Sequence, residues 1–222
     1  MLARATALVV LLASFVWVAP AAAAAVPTPS VELVTDAGSG DHVAAQARFE
    51  ELQTALALGV RAQEAVERAD YNQAQTLFQQ ALTIFESTLG PEDLRIVGLL
   101  SNLADVSRVQ GDLGRAELLY RRLAYLMERA FGPSHVLVGD ALAAAAGVVA
   151  GQGHYGQAKG LYERALSIYQ ATLGSDDPLT ARLLGEYASV LVKLNQRDEA
   201  EAQRARDRES RSTDGITPGP GA

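Results

Sequence analysis

Three histidines, the adjacent acids Glu92-Asp93 and Asp176-Asp177, and one cluster of arginines are the residues here whose types and spacing could do chemistry. A metal site needs several ligands converging, and on a helix it needs them three or four positions apart. His42, His135 and His154 share no such spacing, and His135 and His154 sit at positions that elsewhere in the chain hold Asp93 and Asp112. They read as helix-end residues. Glu92-Asp93 and Asp176-Asp177 resemble carboxylate pairs, but general acid–base work needs a buried, perturbed environment. Both pairs follow a glycine in a loop and read as helix-start acids. Gly151-x-Gly153 lies at a turn between helices rather than after a strand, so it is not a phosphate cradle. Arg121, Arg122 and Arg129 read as a solvated helix face. Cysteine is absent, which excludes thiol nucleophiles, disulfides and thiolate metal sites. The expectation is a non-enzymatic protein with no catalytic residue, no cofactor and no metal.

The elements that carry these residues belong to a globular protein. The chain has 222 residues, 49% of them apolar, 20% charged and 6% aromatic, which is not a disordered balance. A net charge of −7 with no basic run argues against nucleic acid as a partner.

Both ends differ from the middle. Arg4 precedes an apolar run from Ala5 to Val18, then Pro20 and the small-residue frames of Ala21 to Ala25. This reads as a cleavable secretory signal peptide over 1–25. Its removal leaves 18 basic against 26 acidic residues, a net charge of −8, and no membrane span is expected after cleavage. Residues 26–40, with Pro27, Pro29, Gly38 and Gly40, read as a flexible linker. Residues 210–222, ending in Pro218-Gly219-Pro220-Gly221, read as a disordered tail. The expected location is periplasmic or extracellular. The short alanine-rich signal and 17 Arg against 2 Lys point to a bacterial source.

Between these ends the sequence repeats. Gly90, Gly132 and Gly174 are spaced by 42, and Ala74, Ala116, Ala158 and Ala200 keep the same step. So do Phe78, Tyr120 and Tyr162, and so do Gly111, Gly153 and Asn195. A period of this size marks stacked supersecondary units. Within a unit the apolar residues fall at i, i+3, i+4, as in Ala74, Leu77, Phe78, Ala81, Leu82 and Phe85. Leu89-Gly90-Pro91 and Phe131-Gly132-Pro133 are helix stops. The pattern predicts helices over 43–69, 71–89, 93–110, 113–131, 135–152, 155–173, 177–194 and 197–208. The fold class is all-α: an α-solenoid of about four antiparallel helix pairs in a domain over 41–209. Its units are 41–89, 93–131, 135–173 and 177–209. The last helix carries Arg204 and Asp207 where earlier units carry an aromatic residue and Ala or Leu, and reads as a polar cap.

The first helices of the units read Leu100, Leu103, Ala104, Ser107; Leu142, Ala145, Ala146, Val149; and Leu184, Tyr187, Ala188, Leu191. The second helices read Ala74, Phe78, Ala81; Ala116, Tyr120, Leu123; and Ala158, Tyr162, Ala165. This resembles the tetratricopeptide repeat (TPR) family, and the period with LYERALSIYQATLG is similar to its kinesin-light-chain type. The resemblance implies a right-handed superhelix that binds a protein or peptide, with the first helix of each pair lining a concave groove. Carried over by position, the groove rows are Gly59, Ser101, Ala143 and Gly185; Gln63, Asp105, Gly147 and Ser189; and Val66, Arg108, Ala150 and Val192. Asn102 is the one asparagine at its row, and these rows hold no lysine, which departs from kinesin-type and carboxylate-clamp repeats. The floor is small, with Asp105 and Arg108 as isolated charges, and small residues admit a helix or extended chain at close range. The segment Val136 to Ala150 is apolar all round except for Asp140. It should be buried, with surface left for a partner near Val138. The expected function is an exported scaffold or adaptor binding a protein segment; the rival is a self-associating module of the cell envelope, a homo-oligomer.

Overall fold

The computed structural model describes residues 39–214. The expected signal peptide, most of the linker and the end of the tail lie outside the described residues. From Ala44 onward the chain forms one unit. Its helices are α1 (Ser39–Glu67), α2 (Tyr71–Leu89), α3 (Val97–Val109), α4 (Leu113–Phe131), α5 (Val136–Gly151), α6 (Tyr155–Thr172) and α7 (Pro178–Asp214). A 3-10 turn, Leu94–Ile96, leads into α3. No strand is present among the described residues. Helices α1/α2, α3/α4 and α5/α6 are three hairpins stacked in chain order. For convenience the first helix of each hairpin is termed A and the second B.

The helices start and stop where side chains dictate. Asp70 and Asp112 accept hydrogen bonds from the backbone N–H of Gln73 (3.0 Å) and Arg115 (3.1 Å), capping α2 and α4. His135 caps α5 by accepting from the Leu137 N–H through Nδ1 at 3.3 Å, and Asp177 accepts from Leu179 N–H at 2.8 Å. These are the helix-end roles expected of the His135 and Asp177 positions. His154 precedes α6 but makes no capping bond with its ring.

Each A-to-B turn has one residue in the left-handed region: Ala69 (φ 58°), Gly111 (φ 82°) and Gly153 (φ 82°). The following N–H closes back five residues, Asp70 to Ala65 (2.9 Å), Asp112 to Ser107 (2.9 Å) and His154 to Val149 (3.1 Å). That is a Schellman closure, which glycine adopts freely and alanine does not.

The fourth pair differs from expectation. Asn195 occupies the next turn position, yet the chain stays helical through it, and α7 runs unbroken from Pro178 to Asp214, reaching past Ser210. The reason lies beyond the turn. The segment that would fold back holds Gln203, Arg204, Asp207 and Arg208 where α2 holds Leu77, Phe78, Ala81 and Leu82. It has no apolar face to bury, so continued helix costs less than a turn.

The core is two clusters of small and aromatic residues between A and B helices. Ala74, Leu77, Phe78, Ala81, Leu82 and Phe85 are all buried. They cluster with Ala55, Ala62 and Ala65 of α1 and with Leu100 and Leu103 of α3. A second cluster spans α3 to α7 through Ala104, Tyr120, Leu142, Val149, Tyr162, Tyr169 and Leu183. At Gly139 the helices nearly touch: a Cβ there would lie 2.8 Å from the Tyr169 ring. The outer face is latched between successive B helices. Arg122 meets Glu86 at 2.5 Å, and one period later Arg164 meets Glu128 at 2.7 Å. Arg121 pairs with Glu117, and Arg129 with Glu92, so the arginine cluster is a structural surface.

Candidate protein-binding face

The twelve positions carried over as groove residues lie on α1, α3, α5 and α7, and none is buried; Val66 is half-buried. Gly59, Ser101, Asp105, Ala143 and Ala150 are half-buried, while Gln63, Arg108, Gly147, Gly185, Ser189 and Val192 are exposed. The A-helix face is therefore open along its length, and its floor is small. A Cβ at Gly147 would sit 3.5 Å from the Tyr162 hydroxyl, an ordinary contact with room beyond it. Gly59 faces Leu99 of α3, with 3.6 Å between a Cβ built there and Cδ2. The Ser189 hydroxyl donates to the Gly185 carbonyl at 3.0 Å and so offers its remaining lone pairs rather than its proton.

Asp105 and Arg108 are not isolated charges. They pair at 3.3 Å along one face of α3, the i, i+3 geometry that helices favour. Asp105 also accepts from the Tyr120 hydroxyl at 2.7 Å. Burial first, and the Asp105 carboxylate second, raise the Tyr120 phenol well above its ordinary value. The groove thus presents a neutralised ion pair on an otherwise uncharged floor of small residues.

The repeat pattern places Tyr120 and Tyr162 among the apolar positions of the second helices and says nothing of their hydroxyls. Tyr162 donates to Glu186 of α7 at 3.3 Å, and Tyr187 of α7 donates back to Glu163 at 2.8 Å. For Tyr120 a signal was present: Phe78 has no hydroxyl, and the position matching Asp105 in its unit is Gln63; the acid that Tyr162 meets, Glu186, stands at another repeat position, that of Asn102 and Ala144. Tyrosine appears where an acid stands opposite. Tyr169 likewise donates to Asp140. Desolvation raises the Asp140 carboxyl, outweighing the hydrogen bond and the charges of Arg182 and His135 that lower it.

The exposed apolar site expected near Val138 is absent. Val138 is fully buried, as are Ala145, Ala146 and Val149. On α5 only Leu137, Gly147 and Gly151 are exposed, because α4 and α6 cover its two flanks closely against small residues. Among the described residues no group of three or more His, Asp or Glu could hold a metal ion, and no helix is long and apolar enough to cross a membrane.

Two family models, each described as tetratricopeptide repeat, match the chain over residues 95–171 and 151–203, and over 54–94. Solved structures share the fold at low identity. BtubC (BKLC) from P. vanneervenii has 21% identity and a TM-score of 0.58 over 74% of this chain; the match spans 66% of BtubC. Nearly identical TPR-like repeats of a protein described as a kinesin light chain, from Podosopora anserina, have 19% identity and a TM-score of 0.58. That match covers 73% of this chain and 77% of that one. No curated protein sequence matches.

Proposed function

Since the chain belongs to the tetratricopeptide-repeat family, we propose that it is an exported, non-enzymatic scaffold that grips a protein segment along the faces of α1, α3, α5 and α7. The observation that carries this is the open floor. All twelve positions are accessible, nine of them Gly, Ala, Ser or Val, with the Asp105–Arg108 pair neutralised in place. A floor without tall side chains lets a partner's backbone come close. An uncharged one selects an apolar or weakly polar segment over a strongly acidic or basic one. Export rests on the Arg4 to Ala25 segment, and places the partner in the periplasm or outside the cell.

The test is affinity capture from the envelope fraction with the full chain as bait and Gly147→Arg in parallel. Gly147 is exposed and a Cβ there meets only ordinary contact, so the variant folds while its side chain fills the groove. A partner held by the parent and lost from the variant supports the reading. A partner held equally by both defeats the groove as the binding face. Amino-terminal sequencing of the envelope-associated protein tests export, with a start near Ala23 to Val26 expected.

A further inference from the structure

The two end helices of the unit are bare in complementary ways. In the first three hairpins one row of each A helix faces its own B helix. In α5 this row is Gly139, Leu142, Ala146 and Val149, and Gly139 sits against Tyr169 and Ile168 of α6. Leu142 is 6% exposed, and Ala146 and Val149 are fully buried; the matching Leu100, Ala104 and Ser107 of α3 are fully buried too. The same row of α7 is Ala181, Leu184, Ala188 and Leu191. Here Leu184 is 40% exposed and Leu191 36%. The cover is missing because α7 runs straight through Asn195, and the residues beyond it are too polar to serve as one.

What fits the row is a B-type helix, with a small residue, then a large one four on, and further residues at seven and eleven. Ala158, Tyr162, Ala165 and Tyr169 keep that spacing, as do Ala74, Phe78, Ala81 and Phe85. Ala116, Tyr120, Leu123 and Met127 of α4 keep it too, and all four are buried. On an open face of the described residues it recurs at Ala45, Phe49, Leu52 and Leu56 of α1, where Leu52 is half-buried against the unit's own core. Phe49 is 57% exposed and Leu56 50%, with Val60 beside them at 61%. No charged residue falls within either stripe. Scattered apolar side chains on a surface are ordinary, but an aligned stripe at each end is an interaction surface.

We propose that a second copy of this chain seats the Phe49–Leu56 stripe of its α1 on the Leu184–Ala188–Leu191 row of α7. The contact uses none of the groove positions of α1 or α7 and so stands independently of the groove. It joins unlike surfaces, so copies add head to tail unless two such contacts close a dimer. Ala188 at the centre of the row lets the two helices approach, as Ala146 does in α5.

The absence of cysteine makes the contact directly testable. Full-length Phe49→Cys and Leu191→Cys chains are mixed and oxidised, and the disulfide-linked species are identified by mass. The mixed pair is expected, joining one Phe49→Cys chain to one Leu191→Cys chain. The parent is expected to sediment above the monomer mass, and Leu184→Glu and Phe49→Glu are each expected to return it to monomer with unchanged helix content. Monomer mass for the parent across a dilution series overturns the proposal, and is also the outcome if the chain's own 197–214 segment covers the row. Like-with-like disulfides alone overturn it in favour of a symmetric contact. Loss of association in only one of the two Glu variants overturns it as well.

Discussion

Ala69 should be the least comfortable residue in the repeat domain, and replacing it with glycine should stabilise the fold. It holds φ 58° at the turn position where the next two units use glycine at φ 82°. The left-handed conformation costs a residue with a Cβ about 1–2 kcal/mol. Glycine escapes that cost but adds about 0.4–1 kcal/mol of unfolded-state entropy. The difference is a gain of about 0.5–1 kcal/mol for Ala69→Gly. In a domain of this size that raises Tm by about 1–4 °C. Gly111→Ala is the mirror experiment. A Cβ at Gly111 meets nothing within 4 Å, so its effect is backbone alone, and a loss of similar size is expected. The assay is thermal and urea unfolding followed by circular dichroism, comparing both variants with the parent. Destabilisation by Ala69→Gly, or stabilisation by Gly111→Ala, would refute the assignment of these residues to a shared left-handed turn.

Three further outcomes follow from the packing. Gly139→Ala should lower stability by about 1–3 kcal/mol despite the helix propensity of alanine, because the Tyr169 ring would stand 2.8 Å away; urea unfolding measures the loss, and Tyr169→Ala in the same chain should relieve it. Asp140 has a raised carboxyl pKa in the folded state, so its contribution to stability is fully present below the unfolded value and is lost as pH rises through the folded one. Asp140→Asn keeps an acceptor for Tyr169, and its stability advantage over the parent should be absent at acid pH and appear as the pH rises. Tyr120, Tyr162 and Tyr169 are raised above the ordinary value of 10.0 mainly by burial. Their stabilising contribution is complete below about pH 10 and lost above it. Their ionisation, read by phenolate absorbance, should coincide with unfolding rather than precede it.

The architecture was legible because the repeat shows the same physics three times. Six apolar residues from Ala74 to Phe85 were placed on one face by spacing alone, and all six are buried. The glycine stops and the acid or histidine helix starts fell where expected. The fourth pair was misread because Ala200 and Asn195 keep their repeat positions while the residues that reward a turn have gone. Pattern at two positions outlived the apolar face that gives it force. Val138 was misread for a different reason. A helix apolar all round implies burial, but only three-dimensional packing shows that Gly139 and Ala146 let neighbours close over it without leaving a gap. The i, i+3 spacing of Asp105 and Arg108 permits a pair, yet in the sequence they read as isolated charges, and the structure corrects that. The link to Tyr120 spans two helices, and only the contrast with Gln63 and Phe78 hints at it.

If the A-helix face holds the partner, cysteine footprinting reads the contact residue by residue. Single cysteines are placed at Ser101, Gly147 and Ser189 on that face, and at Leu118, which is 71% exposed on α4. Alkylation rates are then measured with and without the captured partner. The partner is expected to slow alkylation at 101, 147 and 189 and to leave 118 unchanged. Protection at 118 with none at the other three would contradict that reading.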